Sequence, residues 1–568
     1  MLNTVTMTPE EAAQHLIATN PLFAVGQADI RGITHRVFTN IPEHLSAFLQ
    51  GLAPLYSDGQ EMLVYEDERW DYPTFCNKVK GLANAMAQEY GISKGDHVAI
   101  AMRNLPEFVA LFFATTALGA VAVPLNAWWT EDELAFAVRD SGAKLVFADG
   151  PRYEHLQAYM SAQALPLVAV RDAKGPVTYE QLLAKGDATQ WPEVDIQTDD
   201  DFAIIYSSGS TGTPKGAVLT HRGALSTVYS WVFTLQMRPL VEGEEPDPNA
   251  PQHAFLAATP LFHVTALEAV LFLGFAVGAK VVMVYRWDPE QARQVINAEH
   301  ITRFAGVPTQ TADLVAVAKK HGDNMPTLTA LGSGGAKRPA AQVQELANTF
   351  TQAAISSGWG MTETNALGFL FSGPDYVENP EAAGRPTPPL QDMRIVDDNG
   401  QEMPVGEVGE LVVKSPANMR CYHNAPEDTA EALRDGWLHT GDLARVDEEG
   451  VFYIVDRKKS IIIRGGENIS CLEVEGALHR HPEVLEAGVY ALPHERLGET
   501  VGAAITVAPN SALTAAKVQE FLAAHLASFK IPEHVWIWHE PLPRGTTDKI
   551  DKRALAEAWL AQPLQQAQ

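Results

Sequence analysis

The 568-residue chain is 46% hydrophobic and 20% charged, an ordinary balance for a globular protein with several buried cores. Its 70 acidic and 42 basic residues leave a formal net charge of -28 with no long block of one sign, which opposes general binding to nucleic acid or anionic lipid but not a local basic site. Cys76, Cys421 and Cys471 are scattered and form no Cys-x-x-Cys pair, which argues against a disulfide framework or structural zinc and suits a reducing cytoplasm.

The opening MLNTVTMTPEEAAQHL has no basic stretch leading into an apolar core, so no secretory signal is expected. From residue 97 strands and helices alternate. HVAIAM reads as a strand, and Pro106 opens an apolar helix. Residues 108–127 carry no charge and are long enough to be weighed as a membrane span. Gly119 and Pro124 interrupt them, so the expected structure is a buried helix followed by a buried strand, with no integral span. Thr130 is placed to cap the helix EDELAFAVRD, Gly142 to end it, and KLVFAD is the next strand. The same order returns with KVVMVY, a helix beginning near Asp288, and ITRFAGVP. Repeated strand–helix–strand units predict an α/β body built on parallel sheets and divided into subdomains. Near Ile395 the chain changes to short strands between Gly, Asp and Pro, which predicts antiparallel pairing. Beyond Lys459 a smaller α+β unit follows, with helices near 473–480 and 514–527. Residues 241–252 read as a loop.

The most informative segment is YSSGSTGTPKG, residues 206–216, between the apolar runs FAIIY and AVLT. Gly209 and Gly212 let the backbone form a nest of N–H groups. Ser207, Ser208, Ser210 and Thr211 add hydroxyls, and Lys215 adds a positive charge. A flexible linker rarely sits between two hydrophobic strands and ends in Pro-Lys-Gly, so a phosphate cradle is the better reading. The spacing differs from the common nucleotide P-loop.

This segment resembles the signature of the adenylate-forming superfamily, which includes acyl-CoA synthetases, luciferases and peptide-synthetase adenylation domains. Further stretches follow in the family's order: PLFH at 260–263, SGGA at 333–336, GWGMTET at 358–364, GWLHTGD at 436–442, DRKKSIIIRGGENIS at 456–470 and PRGTTDKIDK at 543–552. The resemblance implies a large N-terminal AMP- and acyl-binding domain over residues 1–457 and a small mobile C-terminal domain over 458–568. It also implies an ATP-dependent ligase that converts a carboxylic acid to its acyl-adenylate and passes the acyl group to coenzyme A.

On that resemblance, Gly334, Gly335 and Ala336 flank the adenine and Trp359 offers it a flat face, with Gly360 and Met361 beside it. Asp442 would accept the ribose hydroxyls and Arg457 would reach the ribose. Thr362 would contact the α-phosphate, and Glu363 would help to hold Mg2+, a cation that favours a carboxylate supplemented by phosphate and water. Lys549 resembles the catalytic lysine and Lys459 the hinge, while Gly465 and Gly466 would line the pantetheine tunnel. His263 would border an acyl pocket whose neighbours are mostly apolar, which favours an uncharged medium- or long-chain aliphatic acid before an aromatic one. Glu268 stands where amino-acid-activating relatives would supply an acidic group. The chain departs from the family with Asp548 before Lys549, Ser460 in the hinge and Cys471 after it. A carrier-loading adenylation enzyme and an inactive nucleotide-binding relative are the competing readings, and a homodimer is compatible with all of them.

Overall fold

The computed structural model describes residues 6–57, 59–207, 214–243, 247, 250–464, 467–494, 496–508, 511–538, 540–545 and 549–561. The side chains of Lys459, Glu467 and Asn468 lie outside that description.

The uncharged stretch folds as expected, into helix Pro106–Ala117 and strand Val121–Pro124. Every residue of that helix is buried, and Phe108, Phe112 and Phe113 lie at its centre. Each large side chain so buried contributes about 1.5–3 kcal/mol of transfer free energy. Among the described residues, no helix is long and apolar enough to cross a membrane. Thr130 caps helix Glu131–Ser141 with a full capping box, and Gly142 ends it at φ 64°, in the left-handed region that a glycine enters most readily.

Two large sheets form the body. Among the described residues, one has seven strands, in the order Cys421–Tyr422, Lys215–Thr220, Asp201–Ser207, Val121–Pro124, His97–Ala101, Leu145–Asp149 and Leu167–Val170. From Asp201–Ser207 to Leu167–Val170 the pairing is parallel, and the hairpin with Lys215–Thr220 is antiparallel. Among the described residues the second sheet has nine strands, with a parallel centre that includes Ala254–Ala257, Arg303–Gly306, Ala330–Ser333 and Ala354–Trp359. Their carboxyl ends line up, the place where open α/β sheets receive ligands.

An antiparallel sheet of five strands follows, including Asp392–Val396, Gly409–Lys414, Trp437–Val446 and Phe452–Arg457. Among the described residues the C-terminal part builds another sheet, of five strands, around the long pair Val484–His494 and Gly498–Val507, with its own apolar core. Two expectations change here. The helix read over 514–527 is Ala515–Ala523, followed by the short turn Ser528–Lys530. The loop read over 241–252 begins later, because helix His221–Glu242 runs into it and stops at Gly243.

Candidate active site

The strands Asp201–Ser207 and Lys215–Thr220 set Ser207 opposite Lys215. Residues 208–213, and with them Ser208, Gly209, Ser210, Thr211 and Gly212, lie outside the described residues. Lys215 Nζ forms an ion pair with Asp428 and sits 5.6 Å from the centre of the Tyr422 ring. Tyr422 donates its hydroxyl to Glu363 Oε1 at 2.8 Å, and Ser207 Oγ donates to the same oxygen at 3.4 Å. Glu363 is 6% exposed. The donors around it are oxygens, the set that fits a hard cation completing its shell from phosphate and water.

Glu363 lies in the short 3-10 turn Thr362–Thr364, which ends at Asn365 in the left-handed conformation. The turn folds back tightly: a Cβ on Gly360 would stand 2.2 Å from the carbonyl oxygen of Ala366, so only glycine fits there. Trp359 ends the preceding strand. Its indole Nε1 donates to Asp442 Oδ2 at 2.8 Å, and its ring tilts against Phe369 at 5.2 Å. The SGGA segment leaves the neighbouring parallel strand, where Ser333 pairs with Ser357. Gly334 N donates to the Gly306 carbonyl at 3.1 Å, and Gly335 and Ala336 are exposed beside this ridge.

Asp442 sits inside a strand and not at its end. It lies within Trp437–Val446, at an irregularity in the ladder where Gly441 takes φ 71°. Asp442 falls on the buried face of that strand, with Leu438, Thr440 and Ala444, and is 2% exposed. Arg457 lies across the ladder from it, with Nε 2.9 Å from Asp442 Oδ1.

Lys549 completes the cleft. Gly545 N donates to the Lys549 carbonyl at 2.7 Å, and residues 546–548, Asp548 among them, lie outside the described residues. Lys549 is exposed as a residue, yet the protein crowded around its ammonium and the nearby Arg457 lower its pKa to about 8, against the pull of Asp442 and Glu363. The same ammonium is felt by His263, whose pKa falls to about 4 through burial first and Lys549 second. His263 is thus a neutral imidazole, with Nε2 buried and unpartnered among the described residues. Lys459 lies in the 3-10 turn Lys458–Ser460, and Gly465 and Gly466 lie outside the described residues. Cys471 is buried, its thiol donating to the Ser460 carbonyl at 2.9 Å and its pKa pushed up to about 12, which leaves no thiolate for chemistry.

Sequence reasoning missed Tyr422 and Asp428. Tyr422 comes to the site because Cys421–Tyr422 pairs with strand Lys215–Thr220, Ala217 opposite Tyr422. The segment CYHNAPEDT carried a signal only in its polar run before a helix.

Lys549, Arg457, Asp442 and Glu363 thus lie near enough to act on one another's charge, two cations beside two buried carboxylates, and the comparisons with known proteins make the chain an AMP-forming acid–thiol ligase. The chain belongs to the AMP-binding enzyme family: residues 55–423 match that family, and residues 473–549 match the AMP-binding enzyme C-terminal domain. Long-chain-fatty-acid–CoA ligase FadD13 of Mycobacterium tuberculosis is 34% identical over 85% of this chain and 93% of its own. Feruloyl-CoA synthase of Amycolatopsis sp is also 34% identical, over 85% of this chain and 92% of its own. Among solved structures, ATP-bound MatB from Rhodopseudomonas palustris superposes with a TM-score of 0.81 at 26% identity, over 91% of this chain and 99% of that one. Apo MatB, with the same identity and coverage, superposes at 0.71, so the arrangement here is nearer the ATP-bound one. AMP-forming CoA ligases of this family use ATP and coenzyme A, and the substrate is a small-molecule acid.

Proposed function

We propose that the chain activates a medium- or long-chain fatty acid, with Lys549 as the group that steadies charge at the α-phosphorus. The observation that carries this is the gathering of Lys549, Arg457, Asp442 and Glu363 into one cleft. The ionised acid is already a nucleophile. One carboxylate oxygen forms a bond to the α-phosphorus as the bond to pyrophosphate breaks, giving acyl-AMP. What the protein supplies is alignment and positive charge. Lys549 and Lys215 provide the charge, Thr362 the hydroxyl contact, and the segment from Ser207 to Gly212 the backbone cradle. Asp442 and Arg457 hold the ribose, and Trp359 with Gly334, Gly335, Ala336, Gly360 and Met361 encloses the adenine.

Mg2+ would be held by Glu363 and would neutralise phosphate charge. In the second step the thiol of coenzyme A attacks the acyl carbonyl, loses its proton, and the bond to AMP breaks. Lys549 must then withdraw, so the domains 1–457 and 458–568 turn about Lys459, with Gly465 and Gly466 opening room for pantetheine. His263 borders the acyl group as a neutral ring. The setting is the cytoplasm, and a homodimer is compatible with it.

The fatty acid is favoured by the apolar run after His263 and by the ligase of that substrate at 34% identity. An aryl acid is the second reading, favoured by the equal identity to feruloyl-CoA synthase. Thioester formation with free coenzyme A, measured across fatty and aryl acids, tests the choice. Turnover of aryl acids alone would reverse it, and transfer only to a carrier protein would replace coenzyme A as acceptor.

A further inference from the structure

Two elements lead from the reaction centre into the body of the large domain. One is helix His221–Glu242. A Cβ on Gly223 would stand 2.5 Å from Asn365 Nδ2, so its first turn packs on the residue that ends the Glu363 turn. The other is the helical run that starts at His263, which feels the charge of Lys549. It passes through the π-helical segment Leu267–Phe272, and the two elements pack against each other.

The faces they pack together are apolar, with Leu225, Val228, Leu267 and Leu271 buried in one core. One or two turns in, both carry polar groups that the fold does not use. Thr227 and Ser230 are fully buried, and neither hydroxyl has a partner among the described residues. Glu268 is 0% exposed, and neither of its carboxyl oxygens has one either. More than about nine in ten buried polar groups in folded proteins are bonded, so three such side chains on two packed elements need one explanation. Gly223, Thr227 and Ser230 are spaced along one face of their helix. Glu268 is five residues past His263, about 7.5 Å along the axis at 1.5 Å per residue. Without a partner its carboxyl is driven by burial well above the ordinary range and stays uncharged. The π-helical turn that displays it is a geometry found often at functional positions.

We propose that Thr227, Ser230 and Glu268 form a polar station in the acyl cleft, which takes an uncharged oxygen function of the substrate, a hydroxyl or ketone, roughly 6–8 Å from the carboxyl carbon. This rests on the ligase reading above and narrows its substrate class to an oxygenated aliphatic acid. A neutral carboxylic acid and two hydroxyls can each donate and accept, so they match either group. A plain alkyl chain leaves all three unpaired. A substrate ammonium would demand a buried ion pair, whose desolvation is costly.

The test uses the full chain with ATP, Mg2+ and coenzyme A. Straight-chain acids of equal length compete in one tube: unsubstituted, with a ketone or hydroxyl near about the sixth carbon, and with an amine there. The wild type is expected to favour the oxygenated acid over the plain one by at least about tenfold in kcat/KM. Glu268→Leu should abolish the preference through a higher KM for the oxygenated acid, with the KM for ATP unchanged, and Glu268→Gln should retain it. A ratio measured in one sample does not depend on how much of a variant folds. Equal use of both acids by the wild type, an unchanged ratio in Glu268→Leu, or a preference for the amine would each overturn the inference. Thioester formed from the plain acid upholds the ligase reading even then, which separates the two failures.

Discussion

Arg457 Nε lies 2.9 Å from Asp442 Oδ1, and the strands that carry the two residues hold them opposite each other. Asp442 is buried and also accepts from Trp359, while the Arg457 side chain remains 57% exposed. A pair with one exposed partner contributes only about 0–1 kcal/mol to stability. Arg457→Ala should therefore leave the Tm within a few degrees and act on nucleotide binding instead. Losing a charged hydrogen bond of about 1.5–3 kcal/mol corresponds to a KM for ATP raised roughly 10- to 150-fold. Melting curves and ATP titrations on one preparation separate the effects; a large fall in Tm with an unchanged KM would contradict this account.

Lys549 should give the reaction a basic limb. Its pKa in the free enzyme is about 8, so the ammonium is present below that pH and lost above it. The kcat/KM for pyrophosphate release should fall as pH rises through about 8, because that parameter reports the free enzyme. Lys549→Arg, always protonated, should remove this limb at a reduced rate. Lys549→Ala should slow adenylation by about 10²–10³-fold, the scale of one preorganised donor, while sparing thioester formation from supplied acyl-adenylate. A wild-type profile flat to pH 9.5 would argue against the role.

Asp428 pairs with Lys215, so under the proposed role of that lysine it should compete with phosphate for the ammonium. The two side chains pair at a partly exposed site, so the interaction amounts to about 0–1 kcal/mol. Asp428→Asn should accordingly tighten the KM for ATP and inhibition by pyrophosphate by about two- to fivefold. Lys215→Ala should weaken both. Weaker ATP binding in Asp428→Asn would mean that the carboxylate orients Lys215 toward phosphate.

The hinge proposed at Lys459 can be tested. Asp456, just before it, accepts from Ser470 Oγ at 2.7 Å and from Leu472 N at 3.1 Å, tying the C-terminal sheet to the strand that carries Arg457. Lys459→Pro should preserve acid-dependent pyrophosphate release and block thioester formation. Equal loss of both would sink the rotation.

No protein thiol should take part. Burial pushes Cys76 up to about 11 and Cys471 up to about 12, and burial also raises Cys421. Activity should survive an hour of iodoacetamide at pH 7.5, read as thioester formation after the reagent is removed. Stoichiometric alkylation with loss of activity would point to a reactive cysteine.

Local chemistry was legible in the sequence. Thr130 and Gly142 announced a helix at both ends, and Gly119 with Pro124 divided an apolar run that length alone made ambiguous. Motifs held within one turn, such as Trp359 to Glu363, could be read because neighbours in sequence are neighbours in space. The Lys215–Asp428 pair could not, since strand pairing joins segments some two hundred positions apart. Nor could the place of Asp442 within a strand, because a bulge depends on the register of its partner. Glu268 was visible as an acid among apolar residues, but its lack of partners is a property of packing.

The most direct measurement follows oxygen from the acid. With both carboxylate oxygens labelled as 18O, attack on the α-phosphorus and release by coenzyme A must leave one label in AMP and one in the thioester. The account predicts that AMP gains a single 18O, dependent on acid and coenzyme A. Unlabelled AMP, or label in ADP or inorganic phosphate, would show that the carboxylate never joined the α-phosphorus.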